Sequence, residues 1–180
     1  MGQVDPVLVQ HLSHLRPGRV LDVACGQGRN SLWLCRNGFQ VVGVDISDVG
    51  IQRAAESASR QNLSLELHRL DLERSESSLP ETLGMFDSII IFNYKPSPRL
   101  FEQLPLVLNN GGVILFCTFN IAHHEKTGFP RRFCIDSEQI LPPPAGLELI
   151  IDPVQEVSGN REIYLFRKKL FRKKLLQKKP

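Results

Sequence analysis

Two rhythms of apolar and polar positions alternate along this chain. Continuous apolar runs at 20–24, 41–44, 86–92 and 113–119 predict strands buried on both faces, because a strand covered by helices on each side needs no polar positions. Residues 65–70 alternate instead, predicting a further strand closed by Asp71. Helical spacing fills the intervals. Asp5 and Pro6 open a short helix running to His14, as cap and first-turn proline. Residues 30–37 form the next helix, ended by Gly38, and Ser47 caps a third that runs to about Gln61. A fourth helix is predicted over 96–108, opened at Ser97-Pro98 and stopped near Asn110-Gly111-Gly112. Residues 120–144 look irregular, with one helical turn near 137–141. The chain then closes on a hairpin of 147–157 and 162–166, joined through Ser158-Gly159-Asn160. Strands alternating with helices predict an α/β domain with a mostly parallel sheet.

The first strand runs into Gly26-x-Gly28 and a helix pattern opens at once. Glycines at such a turn let backbone approach a ligand, and an acid at the end of the next strand, here Asp45, suits ribose hydroxyls. That much describes any nucleotide site of this class. Asp22 narrows it, because a carboxylate at the mouth of the first strand repels the pyrophosphate of a dinucleotide. A ligand with an ammonium and a sulfonium in place of phosphates is welcome there, and S-adenosylmethionine is the cofactor expected. A nicotinamide oxidoreductase remains the alternative on the glycines alone.

At these residues the chain resembles the class I S-adenosylmethionine-dependent methyltransferases. Their acidic-x-Gly-x-Gly-x-Gly motif stands here as Asp22-Val23-Ala24-Cys25-Gly26-Gln27-Gly28, with Ala24 in place of the first glycine. The wider string CGQGRNSLWL, followed by an Asn-Gly pair and a second strand, is most similar to small bacterial methyltransferases of the tellurite-resistance type. The likeness covers residues 1–169. It implies a Rossmann-like, doubly wound, mostly parallel seven-stranded sheet in the order 3-2-1-4-5-7-6, ending in an antiparallel hairpin. It also implies a cofactor set. Asp22 takes the methionyl ammonium, the loop of Ala24, Gly26 and Gly28 approaches the ribose and methionyl part, Asp45 holds both ribose hydroxyls, and Ile46 belongs to the same cofactor set. Asp71 and Leu72 meet adenine, Asn93 lies beside the transferring methyl, and Arg29 and Asn30 reach the methionyl carboxylate, unless Arg29 faces a substrate anion or pairs with a surface acid.

The acceptor side is less patterned. Tyr94, His123 and His124 are the candidate catalytic groups, since a near-neutral histidine suits proton removal. Tyr94, Lys95, Asn120, Arg131 and Arg132 are the candidate substrate contacts, the arginines suiting an anion. A solvated loop explains the same residues equally well. Asn93-Tyr94-Lys95-Pro96 departs from the Asn-Pro-Pro-aromatic motif of amino-directed nucleic-acid methyltransferases. That lowers the nucleobase-amine reading, and because almost no inserted sequence is left for a substrate cap a small-molecule acceptor is expected, with RNA or protein methylation and a non-catalytic binding role as alternatives.

Composition adds bounds. At 180 residues, with 42% hydrophobic and 23% charged, one domain with a sizeable core is expected. The four cysteines fall in no C-x-x-C pair, so neither structural zinc nor a disulfide framework is expected, and no metal site is assigned. No secretory or membrane-spanning pattern stands out, and a cytoplasmic location is expected. The chain divides into a domain at 1–169 and a basic tail at 170–180, in which the Leu165 to Lys169 sequence recurs as Leu170 to Lys174. Eight lysines and arginines follow Phe166, and the whole chain carries only +3. The remaining residues therefore sum to −5, which counts against a nucleic-acid surface built into the domain.

Overall fold

A computed structural model describes residues 2–73, 79, 83–155 and 159–170. Seven strands form one sheet: β1 (Arg19–Val23), β2 (Gln40–Asp45), β3 (Leu65–Arg69), β4 (Phe86–Phe92), β5 (Leu108–Phe119), β6 (Leu147–Gln155) and β7 (Arg161–Lys168). Their order is β3-β2-β1-β4-β5-β7-β6. The first five pair in parallel, whereas β7 runs antiparallel to both β5 and β6. This is the doubly wound sheet with a terminal hairpin that the sequence leads one to expect.

The helices are α1 (Pro6–Gln10), α2 (Arg29–Arg36), α3 (Asp48–Arg60), α4 (Pro98–Gln103) and α5 (Ile121–Thr127). Because successive strand side chains point to opposite faces, β1 feeds two cores. Leu21 and Val23 join Ile89, Ile91, Phe116 and the α4 residues Leu100 and Phe101 on one face. Val20 joins Ile90, Leu115, the α1 residues Val7 and Leu8, and Leu34 of α2 on the other. Burying both faces explains the unbroken apolar runs.

Three element boundaries differ from expectation. The first helix stops at Gln10 and continues as a 3-10 turn at Leu12–His14. The predicted 96–108 helix is α4 followed by a 3-10 turn at Leu104–Val107, where Pro105 lacks the amide that another α-helical turn needs. The strand then begins at Leu108, not 113. Phe86 faces Leu108 and Ser88 faces Val113, so the Asn109 to Gly112 stretch bulges out opposite Asp87 while the pairing holds on either side. The 120–144 segment also holds more order than expected, in α5 and a 3-10 turn at Arg131–Phe133 as well as the turn at Ser137–Gln139. Ser158 of the hairpin turn and all of the basic tail after Leu170 lie outside the described residues. Among the described residues, no helix is long and apolar enough to cross a membrane.

Parallel strands β1, β2 and β4 all end on one edge of the sheet, and β5 ends there beside them. Two non-glycine residues just past these ends, Ala24 (φ 58) and Asn93 (φ 55), take left-handed backbone. Such turns swing the chain off the sheet at the switch in strand order, where ligands of open α/β sheets sit.

Candidate functional site

A cleft of about 480 Å³ opens at that switch point. Asp22, Ala24 and Gly26 from the end of β1 line it, with Arg29 and Asn30 of α2 and Asn93 past β4. Six of the residues expected to hold the cofactor therefore share one wall system. The loop is fixed from below: the Gly26 amide donates to Asp45 Oδ2 at 2.7 Å, and the Ser47 amide donates to Asp45 Oδ1 at 2.8 Å. Asp45 is half-buried and thereby couples the glycine loop to the start of α3. Gly28, at φ +77, is packed so closely that a Cβ there would lie 2.9 Å from the Ala54 Cβ, which keeps α2 and α3 together under the loop.

Asp22 is 2% exposed and receives a 2.5 Å hydrogen bond from the Ser31 hydroxyl. Burial pushes its carboxyl up to about 7, since a charge is costly away from water; the Ser31 bond works in the opposite direction. A buried acid on a cleft wall, poised between its two protonation states at neutral pH, is suited to a cationic ligand group. Cys25 shares the cleft, but burial pushes its thiol well above the usual range, so it does not serve as a nucleophile.

Other expected cofactor residues stand farther along the strand ends. Ile46 is 56% exposed next to Asp45, while Leu72 is buried and Asp71 half-buried just beyond β3. The Leu70 amide donates to the Asp45 carbonyl at 2.9 Å, so this edge adjoins the ribose-side acid. Arg29 and Asn30 both engage the N-terminal segment, Arg29 in a pairing with an acid, one of the readings open to it. Arg29 pairs with Asp5 at 3.0 Å, and Asn30 Oδ1 accepts from the Asp5 amide at 3.0 Å. Both thus tie the N-terminal segment onto the first turn of α2.

Asp5 anchors a network that sequence reasoning missed. It is 2% exposed and accepts both Arg161 nitrogens, at 2.6 and 3.1 Å, and Arg161 Nη1 also donates to Asn93 Oδ1 at 3.0 Å. Asp5 carried a local signal only as the cap of α1, a role it also fills toward Val7 at 3.1 Å. Arg161 carried none. Ser31 was missed as well, although a hydroxyl in the first turn after a glycine loop is the kind of residue that reaches back to a strand-end acid.

A second cleft, of about 440 Å³, adjoins the first at Asn93 and is lined by Tyr94, Lys95, Arg132, Phe133 and Glu73. Tyr94 donates its hydroxyl to the Glu73 carboxylate, and burial with that neighbouring charge raises the phenol far above its ordinary range. Lys95 Nζ donates to the Cys134 carbonyl at 2.8 Å, and the Arg132 guanidinium lies 4.6 Å from the Phe133 ring centre. Arg131 lines a third cleft with Lys95 and Arg132. Asn120 is buried and occupied: its side chain accepts from the His123 amide at 2.9 Å, capping α5, and donates to the Gly159 carbonyl at 3.1 Å. The His123 ring stacks on Phe119 at 4.9 Å, and His124 Nδ1 bonds the Phe129 carbonyl at 2.6 Å. Neither histidine lines the two clefts that meet at Asn93.

Comparison with known proteins places these clefts in context. The family described as a methyltransferase domain matches residues 20–112. The ribosomal RNA small subunit methyltransferase C of Alcanivorax borkumensis is 46% identical over 108 residues, 55% of this chain and 31% of that protein. A ubiquinone biosynthesis O-methyltransferase of Coxiella burnetii is 30% identical over 124 residues, 65% of this chain and 51% of that one. The chain thus spans about a third to about half of the length of these curated relatives. Among solved structures, TehB of Haemophilus influenzae superposes with a TM-score of 0.69 at 21% identity, covering 92% of this chain and 63% of TehB.

Proposed function

Because the chain belongs to the methyltransferase-domain family, we propose that it binds S-adenosylmethionine in the Asp22 cleft and methylates a small molecule held in the adjoining cleft at Tyr94. The observation that carries this reading is Asp22: a buried acid on the cleft wall whose hydrogen bonds come from the hydroxyl and backbone of Ser31, with no cation in a salt bridge to it among the described residues. A methionyl ammonium replaces the missing countercharge. The sulfonium, when bound, supplies an electrophilic methyl carbon. Asp45 presents a carboxylate to the ribose side, where a short acid matches two vicinal hydroxyls. Ile46, exposed beside it, offers an apolar surface to the adenine, with Asp71 and Leu72 at the far edge.

Methyl transfer is an in-line displacement, so the protein contributes chiefly by alignment and exclusion of water. Two clefts meeting at Asn93 supply that alignment. Arg131 and Arg132 favour an anionic acceptor, whereas His123 and His124 take part only if α5 moves toward the clefts. Isothermal titration of the full chain with S-adenosylhomocysteine tests the first half: micromolar binding lost in Asp22→Asn is expected, and no binding refutes it. Methyl-labelled cofactor with a metabolite extract tests the second half, a labelled small molecule being the expected product.

RNA is the second reading, favoured by the 46% identity to a ribosomal RNA methyltransferase. Against it stands the charge of −5 over the residues up to Phe166. Labelled RNA in place of a labelled metabolite decides for it.

A further inference from the structure

Asn93 stands where the two clefts meet, and both of its amide atoms bear on what the acceptor is. Its backbone is committed: the Asn93 amide donates to the Cys117 carbonyl at 2.9 Å, and φ is +55, a conformation asparagine tolerates better than most residues. The side chain is oriented from one side. Arg161 reaches Oδ1 at 3.0 Å. A guanidinium only donates, so the atom facing it has to be the carbonyl oxygen, and a flipped amide would set donor against donor. Arg161 is itself held, 8% exposed and bonded through two nitrogens to the buried Asp5. The amide NH2 is thereby turned away from Arg161, and the exposed Asn93 offers the clefts a donor.

An amine acceptor needs the reverse. A nitrogen attacking through its lone pair carries N–H bonds that seek an acceptor, and the asparagine oxygen that would meet them already gives one of its two lone pairs to the Arg161 cation. An oxygen or sulfur anion accepts the NH2 bond with one lone pair and attacks with another. The remaining walls agree in sign. Lys95 and Arg132 bring two cations against one lining carboxylate, Glu73, whose Oε1 already accepts from Tyr94 and from the Ser97 amide at 3.3 Å. Phe133, 45% exposed, adds an apolar face.

We propose that the acceptor atom is an anionic oxygen or sulfur on a small organic molecule and not an amine, selected by the Asn93 NH2 that Arg161 orients, with Lys95 and Arg132 balancing the charge. The inference rests on the methyl-donor reading of the first cleft. In the step it describes, a lone pair of the anion forms the new bond to the methyl carbon as the carbon–sulfur bond breaks. The bonding pair returns to sulfur, leaving a neutral thioether and a neutral methylated product. No proton has to leave, so no general base is required. This accords with Tyr94, whose hydroxyl is held protonated by Glu73. Arg161 is a positioning residue here, acting through Asn93.

The test uses the full chain loaded with S-adenosylhomocysteine, with benzoate and benzylammonium as probes followed by ligand-observed NMR titration. Benzoate is expected to bind at least tenfold more tightly than benzylammonium. Asn93→Asp should lower benzoate affinity about tenfold or more, as one charge-assisted bond is replaced by repulsion. Arg161→Met, which frees the amide to turn, should cut the ratio of the two affinities by about tenfold, on the same scale, while Arg161→Lys keeps it. The far-ultraviolet circular dichroism spectrum of each variant reports that the fold is intact, and S-adenosylhomocysteine affinity in the two Arg161 variants reports that the first cleft is. Preference for benzylammonium, binding of neither probe, or a ratio unmoved by Asn93→Asp and Arg161→Met overturns the proposal and leaves the donor cleft standing. Failure of the wild-type chain to bind S-adenosylhomocysteine overturns the donor reading, and this inference with it.

Discussion

Asp22 makes cofactor affinity a function of pH, and the size of the effect can be worked out. Its carboxyl titrates at about 7 in the folded chain without ligand, against 3.8 for an ordinary aspartate. A cationic ammonium beside it favours the ionised form, so only that form binds well. At pH 6 about a tenth of the molecules are ionised at Asp22, and at pH 8 about nine-tenths. Affinity for S-adenosylhomocysteine should therefore rise about tenfold from pH 6 to pH 8 and then level off, with close to one proton released per ligand at the acid end. Calorimetry at pH 6, 7 and 8, in pairs of buffers with different ionisation enthalpies, measures both quantities. Asp22→Asn should bind weakly at every pH and lose the slope. The same raised value has the opposite consequence for the free protein. The folded state holds a proton that the unfolded state releases, so this contribution to stability is full below about 3.8 and lost as pH rises through about 7. Asp22→Asn should accordingly raise the thermal midpoint at pH 8 and change it little at pH 4. Affinity that is flat or falling between pH 6 and pH 8 in the wild-type chain refutes the assignment.

Asp45→Ala should weaken cofactor binding about ten- to a hundredfold, because it removes charge-assisted bonds to the ligand and frees the Gly26 and Ser47 amides; titration calorimetry showing less than a threefold change refutes the ribose role. Ala24→Gly should stabilise the chain by about 0.5–1 kcal/mol, the left-handed penalty of alanine outweighing the entropy of glycine. A lower urea midpoint contradicts that. Tyr94→Phe should leave kcat within about threefold and the pH–rate profile unaltered, since a phenol held protonated does not act as the base. Removing residues 171–180 should abolish any salt-sensitive RNA affinity while leaving S-adenosylhomocysteine binding unchanged; RNA affinity that survives points to a surface on the domain.

Local chemistry explains what was legible in the chain. The apolar runs of β1, β4 and β5 announce strands buried on both faces, and Asp22, Gly26 and Asp45 sit at strand ends that periodicity locates to within a residue. What stayed hidden depends on distance along the chain or on competition between signals. Gly111 and Gly112 read as a full stop before the fifth strand, yet β5 resumes its pairing across them, because the bulge opposite Asp87 absorbs the extra residues. Asn120 and His123 read as reactive polar groups, yet one caps α5 and the other stacks in an aromatic cluster with Phe119 and Phe129. Residue type alone does not separate these uses. The bond between Asp5 and Arg161 spans 156 positions, and no local pattern encodes such a pair.

That span has a consequence during synthesis. Asp5 leaves the ribosome 156 residues ahead of its guanidinium partner, on the order of ten seconds or more earlier at ordinary elongation rates. Until then Arg29 is the carboxylate's cation among the described residues, and the asparagine past β4 lacks the guanidinium that sets its amide. The nascent domain can assemble β1 to β5 and form the glycine loop. Its acceptor side is finished only when the last strand inserts between β5 and β6, so a growing chain gains the shape of the donor cleft before it gains its selectivity.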